Sequence, residues 1–225
     1  MASPAAERGR AVRERLLNAA AELIPERGWT AVSTRILAER AGVTPSVVHY
    51  HFPSLASLLN EAAVGRMRAL LAEMNELLAS APPPGAAIEV LFGSIEEYTG
   101  TDPTSLLFVE AYLASTRDAE LRERIAELVA EFRQRFGESL ERHGVPDPYG
   151  TAAVLAACVD GLMLHRGLGL KADGASAVLR RLLATASEPA APATPRATAT
   201  PNATTTPHAA PGAAPDSAAP EEERP

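Results

Sequence analysis

Between Thr44 and Tyr50 the chain gathers short hydroxyls, a small branched apolar group and two polar rings: Thr44, Pro45, Ser46, Val47, His49 and Tyr50. Hydroxyls of this kind donate to phosphate oxygens, and a valine methyl meets the methyl of thymine. Imidazole and phenol groups reach phosphates or base edges. The set is suited to reading a polyanion and lacks a nucleophile with its base. His49 and His51 are two apart on one expected helix, where side chains diverge, and no acidic or cysteine partner stands at a fitting spacing, so no metal site is expected. Cys158 sits among apolar neighbours, where a thiol packs and does not react. Glu96-Glu97 and the Glu-rich stretch 118–141 read as solvated faces. No enzyme activity and no cofactor are expected.

The elements around residues 44–50 follow from turn chemistry. In TRILAERAGVTPSVVHYHF (34–52), Leu37, Ala38 and Ala41 share one helical face and Gly42 supplies the backbone freedom for a sharp turn. Thr44 followed by Pro45 predicts a new helix start, with Val48 and Phe52 facing inward. Two short helices so joined make a helix-turn-helix, which presents its second helix to the DNA major groove. Upstream, Val12, Leu16, Leu17, Ala20, Leu23 and Ile24 predict a first helix ended by Gly28. Downstream, a long helix is expected over about 55–79, broken at Pro82-Pro83-Pro84-Gly85.

Further aspartate–proline starts (Asp102-Pro103, Asp147-Pro148) and the caps Asp118 and Asp173 divide the remainder into helices near 86–99, 103–116, 118–143, 148–168 and 175–186. The expectation is an all-α chain of about nine helices. Its organisation reads as a flexible basic arm (1–10), a helix-turn-helix domain (11–54), a helical effector-binding and dimerisation domain (55–186) and a disordered Ala/Pro/Thr-rich tail (187–225). That tail has nine prolines and no Leu, Ile, Val, Met or aromatic residue.

Composition bounds the function. The net charge of −7 is distributed as +2 over residues 1–60, −6 over 61–186 and −3 in the tail. Phosphate attraction is screened beyond about 8 Å at physiological salt, so an acidic body does not forbid a DNA-binding head. Arg8, Arg10 and Arg13 could form a basic arm reaching adjacent phosphates or the minor groove, the alternative being a frayed, solvated terminus. One cysteine excludes an intramolecular disulfide, and the polar N-terminus lacks a signal-peptide core. Without such a signal, the Asn202-Ala203-Thr204 glycosylation triplet reads as chance. A cytoplasmic protein with no membrane span is expected. From Tyr149 to Leu164 the only charge is Asp160, which predicts a helix buried on several sides. With the helix after it, this suggests a dimer interface formed by Val154, Cys158, Leu162, His165, Leu179, Leu182 and Leu183. Met67, Met74, Phe92, Tyr98, Phe108, Tyr112 and Met163 fall on apolar helix faces and form a set able to line a pocket for a small apolar or amphipathic effector.

The words AAAELIPERGW (19–29) and LAERAGVTPSVVHYHFPS (37–54), together with the helix order, resemble the TetR family of bacterial transcription regulators. The segment AAVLAACVDGLMLH (152–165) is similar to the family's dimer-forming helix. The resemblance implies a homodimer on a palindromic double-stranded DNA operator, with Arg35, Thr44, Pro45, Ser46, Val47, His49, Tyr50 and His51 approaching DNA. It further implies a repressor released by a small effector. The alternatives are an activator or effector-independent regulator, and more remotely a helical enzyme or interaction module. Two positions depart from the family's usual pattern. His49 stands where tyrosine is usual, and Leu55 stands where a phosphate-binding lysine is usual. The second predicts a salt dependence shallower by roughly 0.9 log unit.

Overall fold

The computed structural model describes residues 3–80, 93, 98–171, 174, 175, 177–179 and 181. Seven bounded α-helices and one short 3₁₀ turn are found there, with further helical residues at 93, 175, 177–179 and 181, and no strand among the described residues. The expected helices at 86–99 and 175–186, and the tail, lie largely or wholly outside these residues.

Helix α1 runs Pro4–Arg27. It starts far earlier than the apolar stripe predicts, because Ser3 accepts a capping bond from the Ala6 amide at 3.3 Å and Pro4 occupies the first helical position. The flexible arm expected over 1–10 is therefore helical from residue 4. The buried stripe is Leu16, Ala19, Ala20, Leu23 and Ile24, and the Gly28 amide closes the helix on the Ile24 carbonyl at 2.9 Å. Gly28 takes φ +84°, which an L side chain rarely adopts, and the chain turns through the 3₁₀ segment Trp29–Ala31.

Helix α2 (Thr34–Ala41) is capped by Ser33. It ends at Gly42 in the left-handed region (φ 66°), where the amides of Gly42 and Val43 return to the carbonyls of Glu39 and Ala38. Helix α3 (Pro45–His51) follows at once, with Val48 and Phe52 almost fully buried. Thr44 stands at its N-cap without a side-chain capping bond, and its hydroxyl instead meets the Ser46 hydroxyl at 2.8 Å. Ser54 starts α4 (Leu55–Ser80) by accepting from the Ser57 amide at 3.0 Å.

Three further helices form the body. Helices α5 (Pro103–Ser115), α6 (Ala119–Arg142) and α7 (Pro148–Gly167) are each capped by the aspartate before them, Asp102, Asp118 and Asp147. Helix α1 packs on α2, α4 and α5, while α6 packs on α4 and α7. One core runs from α1–α3 through the first half of α4 into α5 and α6. It includes Leu16, Leu37, Phe52, Leu58, Met67, Phe108 and Ile125. A second joins Met74, Leu78, Phe132, Phe136, Leu140 and Leu155. Each fully enclosed Leu or Phe stabilises the fold by about 1.5–3 kcal/mol. Tyr149 lies over Gly137, where a β-carbon would come within 2.4 Å of its ring, so α6 and α7 touch closely there.

Helix α7 departs from expectation. Within the chain only Ala152, Leu155 and Ala156 are buried, while Val154 and Leu164 are exposed, as are Leu168 and Leu170 beyond the helix end. Helix α6 packs along one side of α7, and among the described residues Val154 and Leu164 stay open on the other. No helix among the described residues is long and apolar enough to cross a membrane.

Candidate nucleic-acid interface and internal cavity

At the helix-turn-helix, Ser46, His49 and Tyr50 stand three and four apart and so share one face of α3. All three are exposed, as are Thr44 and Pro45 before them and Arg35 in the first turn of α2. Val47 and His51 are half-buried. Tyr50 is 85% exposed, the largest such value among the exposed large hydrophobic residues, and its ring meets His51 edge-on at 5.1 Å. An aromatic side chain left this open is available to a partner surface.

The scaffold beneath the face is tied by charge. Arg13 of α1 forms a two-pronged ion pair with Glu61 of α4, one prong at 2.6 Å, and its guanidinium lies 4.6 Å over the Phe52 ring. This corrects the expectation that Arg13 belongs to a basic arm: its charge is turned inward to hold α1, α3 and α4 together, leaving Arg8 and Arg10 exposed. Arg40 of α2 pairs with Glu22 and Glu26 of α1, at 3.1 and 2.6 Å. Leu55, the residue in place of the usual lysine, is half-buried against the first core. Position 55 therefore contributes packing where the family pattern has charge.

A cavity of about 80 Å³ lies among α4, α5, α6 and α7. Of the residues expected to line a pocket, Met74, Tyr98, Phe108, Tyr112 and Met163 do so. Met67 does not: two helical turns before Met74, it is fully enclosed in the first core. Phe92 lies outside the described residues. The wall also holds Phe132 and Asp160, which sequence reasoning had not assigned to it. For Asp160 a signal existed, being the only charge in the segment 149–164. The Tyr112 hydroxyl donates to Asp160 at 3.4 Å. Burial first, and the neighbouring carboxylate second, push the Tyr112 hydroxyl up to about 12. Burial likewise pushes the Asp160 carboxyl above its ordinary range, partly offset by the Tyr112 bond and by the charge of Arg133.

Leu70, Tyr98, Thr104 and Phe108 also border a larger polar cleft of about 400 Å³, lined by Asn18, Glu22, Arg66 and Glu73. The expected dimer residues divide. Val154 and His165 are exposed, Cys158 is partly buried, and Leu162 and Leu179 pack partly on the second core. Leu182 and Leu183 lie outside the described residues.

A long-range hydrogen bond from α5 reaches the head, and a second ties α4 to α6 within the body. Glu110 of α5 accepts from the Trp29 amide at 2.8 Å, at the turn that leads into α2. Its neighbours two residues away on either side, Phe108 and Tyr112, are cavity wall. On α4, the buried Asn60 donates to the Asp118 cap of α6 at 2.8 Å. That bond, more than any other contact, holds the Asp118 carboxyl below the usual carboxylate range.

Comparison with known proteins agrees with this geometry. Residues 16–62 match the family model described as bacterial regulatory proteins, tetR family, and residues 82–188 match the tetracyclin repressor-like C-terminal domain. A solved transcriptional regulator from Streptomyces coelicolor A3(2) is 33% identical, with a TM-score of 0.64 over 79% of this chain and 99% of that one. The HTH-type transcriptional repressor KstR2 of Rhodococcus jostii is 29% identical over 135 residues, 60% of this chain. The match spans 66% of that repressor, just under two thirds of its length. A regulator from Saccharomonospora viridis solved in complex with choline shares the fold, with a TM-score of 0.61 over 77% of this chain and 93% of that one at 22% identity. With an exposed α3 on a glycine turn, a helical body behind it and both family models matched, the chain belongs to the TetR family of DNA-binding transcriptional regulators.

Proposed function

We propose that the protein is a homodimeric repressor that holds a palindromic operator through two copies of α3 and releases it when a small molecule enters the cavity of the body. The observation that carries this reading is the Glu110–Trp29 hydrogen bond, made by a helix whose adjacent turns form the cavity wall. A ligand that displaces Phe108 or Tyr112 moves α5, and α5 holds the turn into the helix-turn-helix. The uncovered outer side of α7, with Val154 and Leu164, supports pairing with a second copy. The exposed set Arg35, Thr44, Pro45, Ser46, His49 and Tyr50, with half-buried Val47 and His51, is then the operator contact surface. The fold neighbour seen with choline supports a small-molecule site in a body of this shape. Moving operator occupancy from 99:1 to 1:99 requires about 5.5 kcal/mol of differential ligand affinity between the two states.

The test begins with selection of bound genomic fragments, followed by fluorescence anisotropy on the operator so found. Glu110→Gln keeps the shape and weakens the acceptor. Operator affinity without ligand is expected to stay within about threefold, while the ligand-induced loss of affinity shrinks by roughly five- to tenfold. Unchanged coupling in Glu110→Gln would remove this route. A selection that returns no specific sequence at low salt would remove the operator reading altogether.

A further inference from the structure

The cavity wall is hydrocarbon and aromatic except at few points, and among the described residues Asp160 is the one carboxylate on it. The bond from Tyr112, long at 3.4 Å, is the hydrogen bond this carboxylate makes among the described residues, although it carries two oxygens and about four acceptor sites. Arg133 of α6 is near enough for its charge to be felt. It forms no ion pair with Asp160 among the described residues, and it does not line the cavity. Its Nε is buried without a partner, so the guanidinium is not docked on the carboxylate through that atom. Around the same space stand the rings of Phe108, Tyr112 and Phe132. A ring face attracts a cation, and the attraction grows when water is excluded. A carboxylate in such a place is costly when charged and unpaired, and a cation entering the cavity removes that cost.

We infer that the effector this cavity accepts is a small organic cation, a compact alkylammonium group seated among Phe108, Tyr112 and Phe132 with its charge facing Asp160. The inference rests on the reading of the cavity as the effector site. The volume of about 80 Å³ favours a compact head, and the thioethers of Met74 and Met163 in the wall are flexible enough to enlarge it. The rest of a longer ligand can pass the shared wall of Leu70, Tyr98, Thr104 and Phe108 into the polar cleft, where Glu73 stands beside Arg66 and Glu22 is paired with Arg40.

Three probes of similar compact shape and different charge test this on the full chain: tetramethylammonium, tert-butanol and pivalate. Binding is read by calorimetry and thermal shift, and operator release by anisotropy. Tetramethylammonium is expected to bind the wild-type chain at least roughly tenfold more tightly than tert-butanol, with pivalate weakest. In Asp160→Asn, checked for helicity by circular dichroism, that preference should fall below about threefold while tert-butanol binding is kept. Equal or tighter binding of tert-butanol or pivalate in the wild type overturns the inference, as does a cation preference that survives Asp160→Asn. If an uncharged or anionic probe binds and releases the operator, the cavity remains the effector site and only the charge class is wrong. If no probe binds at millimolar concentration, both readings fall.

Discussion

The helix-turn-helix end and the helical body place their polar groups in opposite ways. In the head, charges tie the outside of the scaffold through Arg13–Glu61 and Arg40 with Glu22 and Glu26, while the interior is apolar and closed around Leu37, Val48 and Phe52. In the body, the outer side of α7 is apolar, and polar groups point inward: Asp160 and Tyr112 at the cavity, and Asn60 against Asp118. A head built this way keeps its shape while its exposed face varies. A body built this way carries internal polar groups whose burial is costly and which a ligand can compensate. Substitutions on the exposed face of α3 should therefore change recognition and leave stability alone, while substitutions at inward polar groups of the body should change stability and its pH dependence.

The largest expected effect lies on α3. Changing Ser46 and Tyr50 together to Ala removes two exposed side chains, each worth about 1–3 kcal/mol when it contacts a base edge or phosphate. Operator affinity should fall about 100-fold by anisotropy, with the melting temperature unchanged. A large drop in melting temperature would show that the two regions do not divide as described.

Next comes Asp118→Ala. It removes the cap of α6, worth about 1 kcal/mol, and leaves the buried Asn60 amide without its partner, at a cost of about 1–3 kcal/mol. Denaturant unfolding near neutral pH should show a loss of about 2–3 kcal/mol. Because the folded carboxyl lies below its unfolded value, this stabilisation is present above about pH 4 and is lost as pH falls through the folded value. The gap between wild type and variant should narrow in acid.

Arg13→Ala is smaller. The pair with Glu61 is partly exposed and screened, so about 1 kcal/mol is expected from chemical denaturation. Arg13→Lys should recover little, since an ammonium cannot form the same fork over Phe52.

Smallest is Asp160→Asn, which should raise the melting temperature slightly. The folded carboxyl lies above its unfolded value, so the charged form is disfavoured by folding. The wild type is therefore relatively most stable below the unfolded value and loses that advantage as pH rises through the folded one. The gain in the variant should be larger at neutral pH than below the unfolded value, at roughly pH 3.5. Scanning calorimetry at both values decides the sign.

What could be read from the residues follows the same division. The glycine turn at 42, the Thr44-Pro45 start and the Asp-Pro starts of α5 and α7 are local devices, complete within a few residues, and the structure places each where the sequence does. The cavity is different because it depends on depth, which periodicity does not encode. Met67 and Met74 stand two turns apart on one stripe of α4, yet one is enclosed in the first core and the other faces the cavity. Arg13 was misread for a related reason: its partner Glu61 is 48 residues away, and a run of arginines near the start reads locally as an arm. The outer side of α7 is apolar by sequence, but which of its residues stay open, as Val154 and Leu164 do among the described residues, depends on packing across the body.

The Glu110 contact also limits how this molecule can be recombined. The Trp29 amide is held by a carboxylate from 81 residues downstream, and Gly28 beside it has positive φ, with a β-carbon there falling 3.6 Å from the same carboxylate. A head transplanted onto a related body would therefore need an acceptor at position 110, and a body given a foreign head would need that head to offer a free amide at the same turn. The unit that can be exchanged intact is not the helix-turn-helix ending near residue 54. It is that motif together with the turn of α5 that carries Glu110, so on the proposed route an exchange cut between them should yield a protein that still binds DNA and no longer responds to an effector.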